Sequence, residues 1–181
     1  MWMESDAINI DGMVRLYRGD VLNDWSDSSG TGGGALLLYG SGQSFVTESP
    51  YAAAGGTDRL VFSFDDTNGC ARTTDSAGLP SGAQPRTMMG WINHKSFINM
   101  AVPFGYGKMA PAQAFNVYNS PNLDISFDWA HGGDGSFTNF YKLSLNAWFH
   151  VAITYDGTHM RAYVNGAKKR EVNDMTPNTQ L

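Results

Sequence analysis

The sequence predicts an all-β protein, a sandwich or barrel of short antiparallel strands. Three observations carry this. Across 181 residues helical periodicity is hard to find, and apolar and polar residues alternate in short runs instead. Those runs are bounded by Gly, Pro, Asn or Asp. The 21 glycines suit a chain with many tight turns, because glycine reaches positive φ without steric penalty.

The strands are expected, in order, at 35–39, 45–48, 59–64, 87–93, 114–118, 123–129, 140–145, 148–155, 160–165 and 168–172. In the sixth, Leu123, Ile125, Phe127 and Trp129 share one face, while Asp124, Ser126 and Asp128 share the other. That strand has a dry side and a wet side, as in an antiparallel sheet over a core. In the eighth, Phe149, Val151, Ile153 and Tyr155 alternate with Trp148, His150, Ala152 and Thr154. Asp156-Gly157 then turns the chain, and Met160, Ala162 and Val164 return beside it. Asn165-Gly166 is the strongest short hairpin signal, and residues 167–172 follow as the next strand. Two stretches read as loops: Ser26 to Gly34, which is polar and glycine-rich, and Asp65 to Arg86, broken by Asn68-Gly69, Pro80, Gly82 and Pro85. Neither resembles a phosphate-binding loop, since no lysine follows the glycines.

Composition narrows the function. The 42% hydrophobic and 13% aromatic fractions exclude a disordered chain. The length suits one domain, placed at residues 13–181 behind a leader or linker at 1–12. A net charge of -5 argues against phosphate-neutralising nucleic-acid binding. No run of 18 apolar residues exists, so no membrane-spanning helix is expected. The one basic cluster, Lys168-Lys169-Arg170, reads as a solvated strand edge guarded by charge. Cys70 is the single cysteine, too few for an intrachain disulfide or a structural zinc site.

The stretch LNAWFHVAITYDGTHMRAYVNG resembles the strand–turn–strand signature of laminin-G-like, concanavalin A-like jelly-roll domains. LNDWSDSSGTGG, RLVFSFDDTNG and RTMMGWINH resemble earlier segments of that family, in the same order. The resemblance implies a jelly-roll β-sandwich that acts as a binding or adhesion module. It implies a glycan or protein ligand, and an extracellular or surface setting within a larger protein. It also implies a further strand beyond the last hairpin, so an open edge and a partner strand to complete it are expected here.

The same superfamily includes glycoside hydrolases and polysaccharide lyases, so an enzyme is the competing expectation, and a purely structural surface or virion domain a third. Sugar hydrolysis needs two facing carboxyls. The only glutamates are Glu4, Glu48 and Glu171, none close in sequence to a second acid on the same expected strand. Asp124 and Asp128 share a strand face but stand ~13 Å apart. A lyase needs a base. Of the four histidines, His150 reads as structural within the hairpin, while His94 and His159 lie at turns and read as exposed. The residues therefore favour no catalytic role. Aromatics in expected loops, Trp25, Tyr51 and Tyr106, could stack on a sugar.

Domains resembling this one often hold one calcium ion. Asp128 and Asp134 flank the glycine-rich bend DWAHGGDGS, where carbonyls can turn inward, and Asp27 in the Asp-x-Ser-Gly turn is a further candidate. The competing reading is a polar turn whose aspartates cap backbone amides. If calcium is held there, chelator lowers the thermal midpoint and added calcium restores it; an unchanged midpoint counts against the site.

Overall fold

The computed structural model describes residues 34–48, 60–65, 69–73, 75–96, 101–108, 110, 113–119, 124–128 and 137–181. Every regular element among them is a strand: β1 (Leu37–Tyr39), β2 (Gln43–Thr47), β3 (Leu60–Phe64), β4 (Cys70–Arg72), β5 (Arg86–Ile92), β6 (Phe104–Gly107), β7 (Ala114–Asn119), β8 (Asp124–Asp128), β9 (Phe137–Lys142), β10 (Phe149–Tyr155), β11 (His159–Val164) and β12 (Ala167–Asn173). All pairings are antiparallel, as the alternation predicts. The chain divides into two compact units, Met1–Leu79 and Pro80–Leu181.

The first unit holds two short ribbons, β1–β4 and β2–β3. Phe45 sits opposite Phe62, their rings 5.1 Å apart and tilted, the kind of cross-strand aromatic pair that stabilises a ribbon. Strand β4 lies inside the stretch expected to be one long loop. Three residues, Cys-Ala-Arg, are too few to display alternation, so only pairing to β1 reveals the strand. The Arg72 guanidinium stands 3.8 Å above the Tyr39 ring and ties the two together.

The second unit is a sandwich of two four-stranded sheets, ordered β12-β11-β10-β5 and β6-β7-β8-β9. Its core draws inward residues from both. Phe115, Val117 and Ile125 come from one sheet, and Val151, Ile153, Tyr155, Met160 and Ala162 from the other. Fully buried side chains of this size contribute about 1.5–3 kcal/mol each. Gly90 marks a close approach of the sheets, because a Cβ there would lie 3.2 Å from the Phe104 ring.

The two expected turns form as read. Asn165 and Gly166 take φ of 50° and 78° and join Val164 directly to Ala167, the geometry of a two-residue type I′ hairpin. The Asn165 side chain also accepts the His150 backbone N–H at 2.9 Å, and its own N–H donates to the His150 carbonyl at 2.8 Å. One residue thus makes the turn and fastens it to β10. Gly157 takes φ 106° in the other turn.

Two elements of the second unit depart from expectation. Strand β6 was not anticipated, because Gly105 and Gly107 erase its alternation. Gly105 is required there, since a Cβ would fall 2.1 Å from Asn116 Oδ1. Strand β9 begins earlier than expected. Asn139 has φ 54°, and its N–H donates to Ser126 Oγ at 2.9 Å where the β8–β9 register shifts. A bulge of this kind offsets the side-chain period and misplaces a boundary read from alternation.

Arg86 is buried at 7% exposure, an unusual place for a cation. Its guanidinium donates to the carbonyls of Gln84 at 2.8 Å and Gly82 at 2.5 Å, with longer contacts to Pro80 and Ser81. It also reaches Tyr106 Oη at 3.1 Å, and Tyr106 Oη donates to the Pro80 carbonyl at 3.0 Å. These bonds hold the 80–84 loop against the sandwich. Arg86→Met keeps the bulk and removes the donors, leaving carbonyls without partners. We expect a loss of about 2–4 kcal/mol in urea denaturation; a loss below about 0.5 kcal/mol would contradict this role.

Candidate functional site

The outward face of the β12-β11-β10-β5 sheet gathers the most distinctive exposed chemistry among the described residues. Period-two alternation sets which side chains stand there. Because Val151, Ile153 and Tyr155 turn inward, His150, Ala152 and Thr154 turn outward along β10. Register then brings neighbours beside them. Trp91 of β5 lies opposite His150. Met89 and Tyr163 flank Ala152. Thr87 and Arg161 flank Thr154, and Glu171 follows beyond Arg161.

One end of this face is aromatic and apolar. Trp91 is 42% exposed and Met89 53% exposed. An isolated exposed apolar side chain is ordinary, but two neighbours on a rigid strand, beside further rings, form a surface. The His150 ring meets Trp91 edge to face, with centroids 5.3 Å apart. Burial pushes the His150 pKa down, so the ring is neutral at pH 7 and offers one donor and one acceptor.

The other end is charged and internally paired. Asp156 Oδ1 accepts the backbone N–H groups of Thr158 at 2.9 Å and His159 at 2.8 Å, and the Thr158 hydroxyl at 3.0 Å. Arg161 donates to Asp156 Oδ2 at 2.6 Å, and its Nε lies 3.5 Å from Glu171, which also pairs with Lys168. The His159 amide, then Arg161, then the Thr158 amide hold the Asp156 carboxyl well below the usual range. Lys168 chiefly lowers Glu171 in the same direction. A glycosidase needs one carboxyl kept protonated as the acid, and this pair is tuned the opposite way.

Of the residues expected to hold calcium, Asp134 and Asp27 lie outside the described residues. Asp128 closes β8, with its backbone opposite Asn116. Among the described residues no cluster of three or more His, Cys, Asp or Glu is arranged to hold a metal. Trp25, Tyr51 and His131 also lie outside the described residues. Tyr106 corrects an expectation: it is a half-buried strand residue whose ring packs 5.9 Å from Phe115, not a loop aromatic. His94 is another correction. It is buried, at 9% exposure, and its carbonyl accepts the Asn146 N–H at 2.8 Å. His159 is part-exposed, with Nδ1 2.7 Å from Thr158 Oγ1. The exposure of Trp91 and Met89 escapes sequence reading, because RTMMGWI is apolar on both parities. A faint signal existed in Gly90, the small residue on the parity that packs inward.

The second unit is a β-sandwich module with an aromatic strip on one outer sheet face. A family model described as the concanavalin A-like lectin/glucanases superfamily matches residues 65–181. The chain belongs to this superfamily, whose fold is a jelly-roll β-sandwich. No curated protein matches it. Among solved structures, domain 4 of AbnA, a GH43 extracellular arabinanase from Geobacillus stearothermophilus in complex with arabinotriose, aligns with a TM-score of 0.57. Its identity is 18%, over 87% of this chain and 74% of that one. A protein from Bacteroides ovatus, to which carbohydrate binding is ascribed, aligns with a TM-score of 0.42 and 12% identity, over 80% of this chain and 66% of that one. At such identity the likeness to the arabinanase domain is one of fold.

The charged end generates a pH prediction. Carboxyls whose pKa is lowered on folding contribute stability above their unfolded pKa, near 4, and that stability is lost as pH falls. The urea midpoint is expected to drop from about pH 5 downward. Asp156→Asn lowers the midpoint at pH 7 and flattens the acid limb; identical pH slopes in the two proteins would refute the assignment.

Proposed function

We propose that this chain is a non-catalytic carbohydrate-recognition module, which binds its glycan on the outward face of the β12-β11-β10-β5 sheet. The observation that carries the reading is Trp91, a tryptophan held half in solvent on a rigid strand with a neutral histidine at its edge. A flat aromatic face is attractive to the C–H-rich face of a sugar ring, and the histidine can exchange hydrogen bonds with hydroxyls. Membership in a superfamily of lectins and glucanases supports it, as does a fold shared with an arabinanase domain that was solved with arabinotriose. That domain's extracellular host supports an extracellular or surface setting within a larger protein. Calcium held by Asp128 and Asp134, or by Asp27, would be structural in this reading.

Isothermal titration against arabinan, other neutral polysaccharides and an acidic one tests the reading. Binding to at least one glycan is expected, and Trp91→Ala should weaken it about tenfold or more, some 1.4 kcal/mol, without lowering stability appreciably. Failure of every glycan to bind, with and without calcium, would sink it.

A further inference from the structure

We infer that Met89 is a modification site, oxidised reversibly to the sulfoxide, and that the sulfoxide weakens glycan binding; the second half rests on the reading above. Met88 and Met89 are adjacent in sequence, but successive residues of a strand point to opposite faces. Met88 stands opposite Ile153 and packs against the core, whereas Met89 stands opposite Ala152 and is 53% exposed. Met89 is the most exposed large hydrophobic side chain among the described residues. Met160 and Met175 are buried in the core. Met1, Met3, Met13, Met100 and Met109 lie outside the described residues.

The exposure of Met89 owes nothing to a frayed loop. Strand β5 pairs with β10 through all seven of its residues without a register shift. Met89 therefore meets solvent in the folded state, while Met88, Met160 and Met175 wait for the structure to open. The oxidant required is a hydroperoxide, with hydrogen peroxide the simplest. The sulfur lone pair attacks one peroxide oxygen; the S–O bond forms as the O–O bond breaks, and the second oxygen takes a proton and leaves as water. Sulfur gives up two electrons and the peroxide accepts them. A methionine sulfoxide reductase reverses the change, with a dithiol becoming a disulfide and the oxygen departing as water.

The product alters the face beside the tryptophan. Met89 lies about 7 Å from Trp91 along the same strand and faces the same way. A sugar stacked on the Trp91 ring and extending toward Thr87 covers Met89 with C–H groups. As a thioether, Met89 meets them with a soft, apolar surface. As a sulfoxide it carries a strong acceptor, and Ala152 opposite supplies no side-chain donor to satisfy it. Covering that oxygen strips water from it without replacement. The core is untouched, so the fold is unaffected.

Peroxide treatment of the folded protein, followed by peptide mass spectrometry and glycan titration, tests both halves. Fragment ions distinguish Met88 from Met89, and Met89 should oxidise about tenfold faster or more than Met88, Met160 and Met175. Oxidised wild type should bind the glycan about threefold or more weakly at an unchanged urea midpoint, and methionine sulfoxide reductase should restore the affinity. Met89→Leu should show the same affinity before and after peroxide, whatever its starting level. Met89→Gln should resemble the oxidised wild type without treatment. Oxidation of Met88 as fast as Met89 overturns the modification site. A peroxide-induced loss that persists in Met89→Leu, or undiminished binding by protein oxidised at Met89, overturns the coupling to the ligand. If no glycan binds the untreated wild type, carbohydrate recognition falls and the coupling with it, while the mass readout still decides the site.

Discussion

The alternation along β10 is the constraint on which the rest of the second unit depends. This strand is internal to its sheet, paired to β5 on one side and β11 on the other. Its inward side chains, Val151, Ile153 and Tyr155, are all but completely buried and sit at the centre of the sandwich. A slip of one residue would carry all three to solvent and bring His150 and Thr154 into the core, so the register is strongly held. The ends of the strand are pinned as well. Asn165 bonds the His150 backbone in both directions, and Tyr155 Oη lies 2.7 Å from the Gly157 carbonyl and 2.9 Å from that of Met175. The candidate binding face inherits its precision from this core strand, because the same alternation that buries three residues presents the other three.

A second set of contacts laces irregular chain onto the sandwich. Arg86 and Tyr106 gather the carbonyls of the 80–84 loop, and Gly82 in that loop donates to the Thr179 carbonyl at 2.8 Å. Lys108 donates to the Gln180 carbonyl at 3.0 Å, and Gln180 donates to Gln113 at 3.1 Å. Residues 179–180 therefore run between two loops and satisfy backbone groups of both. Loops held in this way need few apolar contacts of their own, which is how a stretch rich in glycine and proline can stay ordered beside a core. The basic edge of β12 has a different role. Lys168, Lys169 and Arg170 stand on an exposed strand, where charge discourages pairing with other chains. Lys169 also lies 5.1 Å from the Tyr141 ring, a cation–π contact between the two sheets.

Much of the fold was legible where local chemistry dictated it. The Asn165-Gly166 and Asp156-Gly157 turns, the faces of β10 and the exposed edge of β12 all follow from residue type at short range. The misses in the second unit share one cause, a local signal weakened by something distant. Gly105 is glycine because Asn116 crowds it from the next strand, and that glycine hides β6. Asn139 bulges toward Ser126, and the bulge displaces β9. The candidate site was less legible. His150 was identified as part of the hairpin, but its partner Trp91 lies 59 positions away in sequence, and only the neighbouring Gly90 hints that it faces water.

By itself the sequence determined the class of fold and the hairpin that anchors it, because alternation and turn chemistry act over a few residues. It also determined how few acids stand close together along the chain. Only the tertiary structure decided which alternating face became surface, because that depends on pairing across strands distant in sequence. It placed Met89, Ala152 and Tyr163 side by side from three separate strands, with Trp91 beside His150, and it locked Asp156 and Glu171 onto one arginine. It also buried Arg86, since a cation can leave water only where folding has already gathered the carbonyls to receive it.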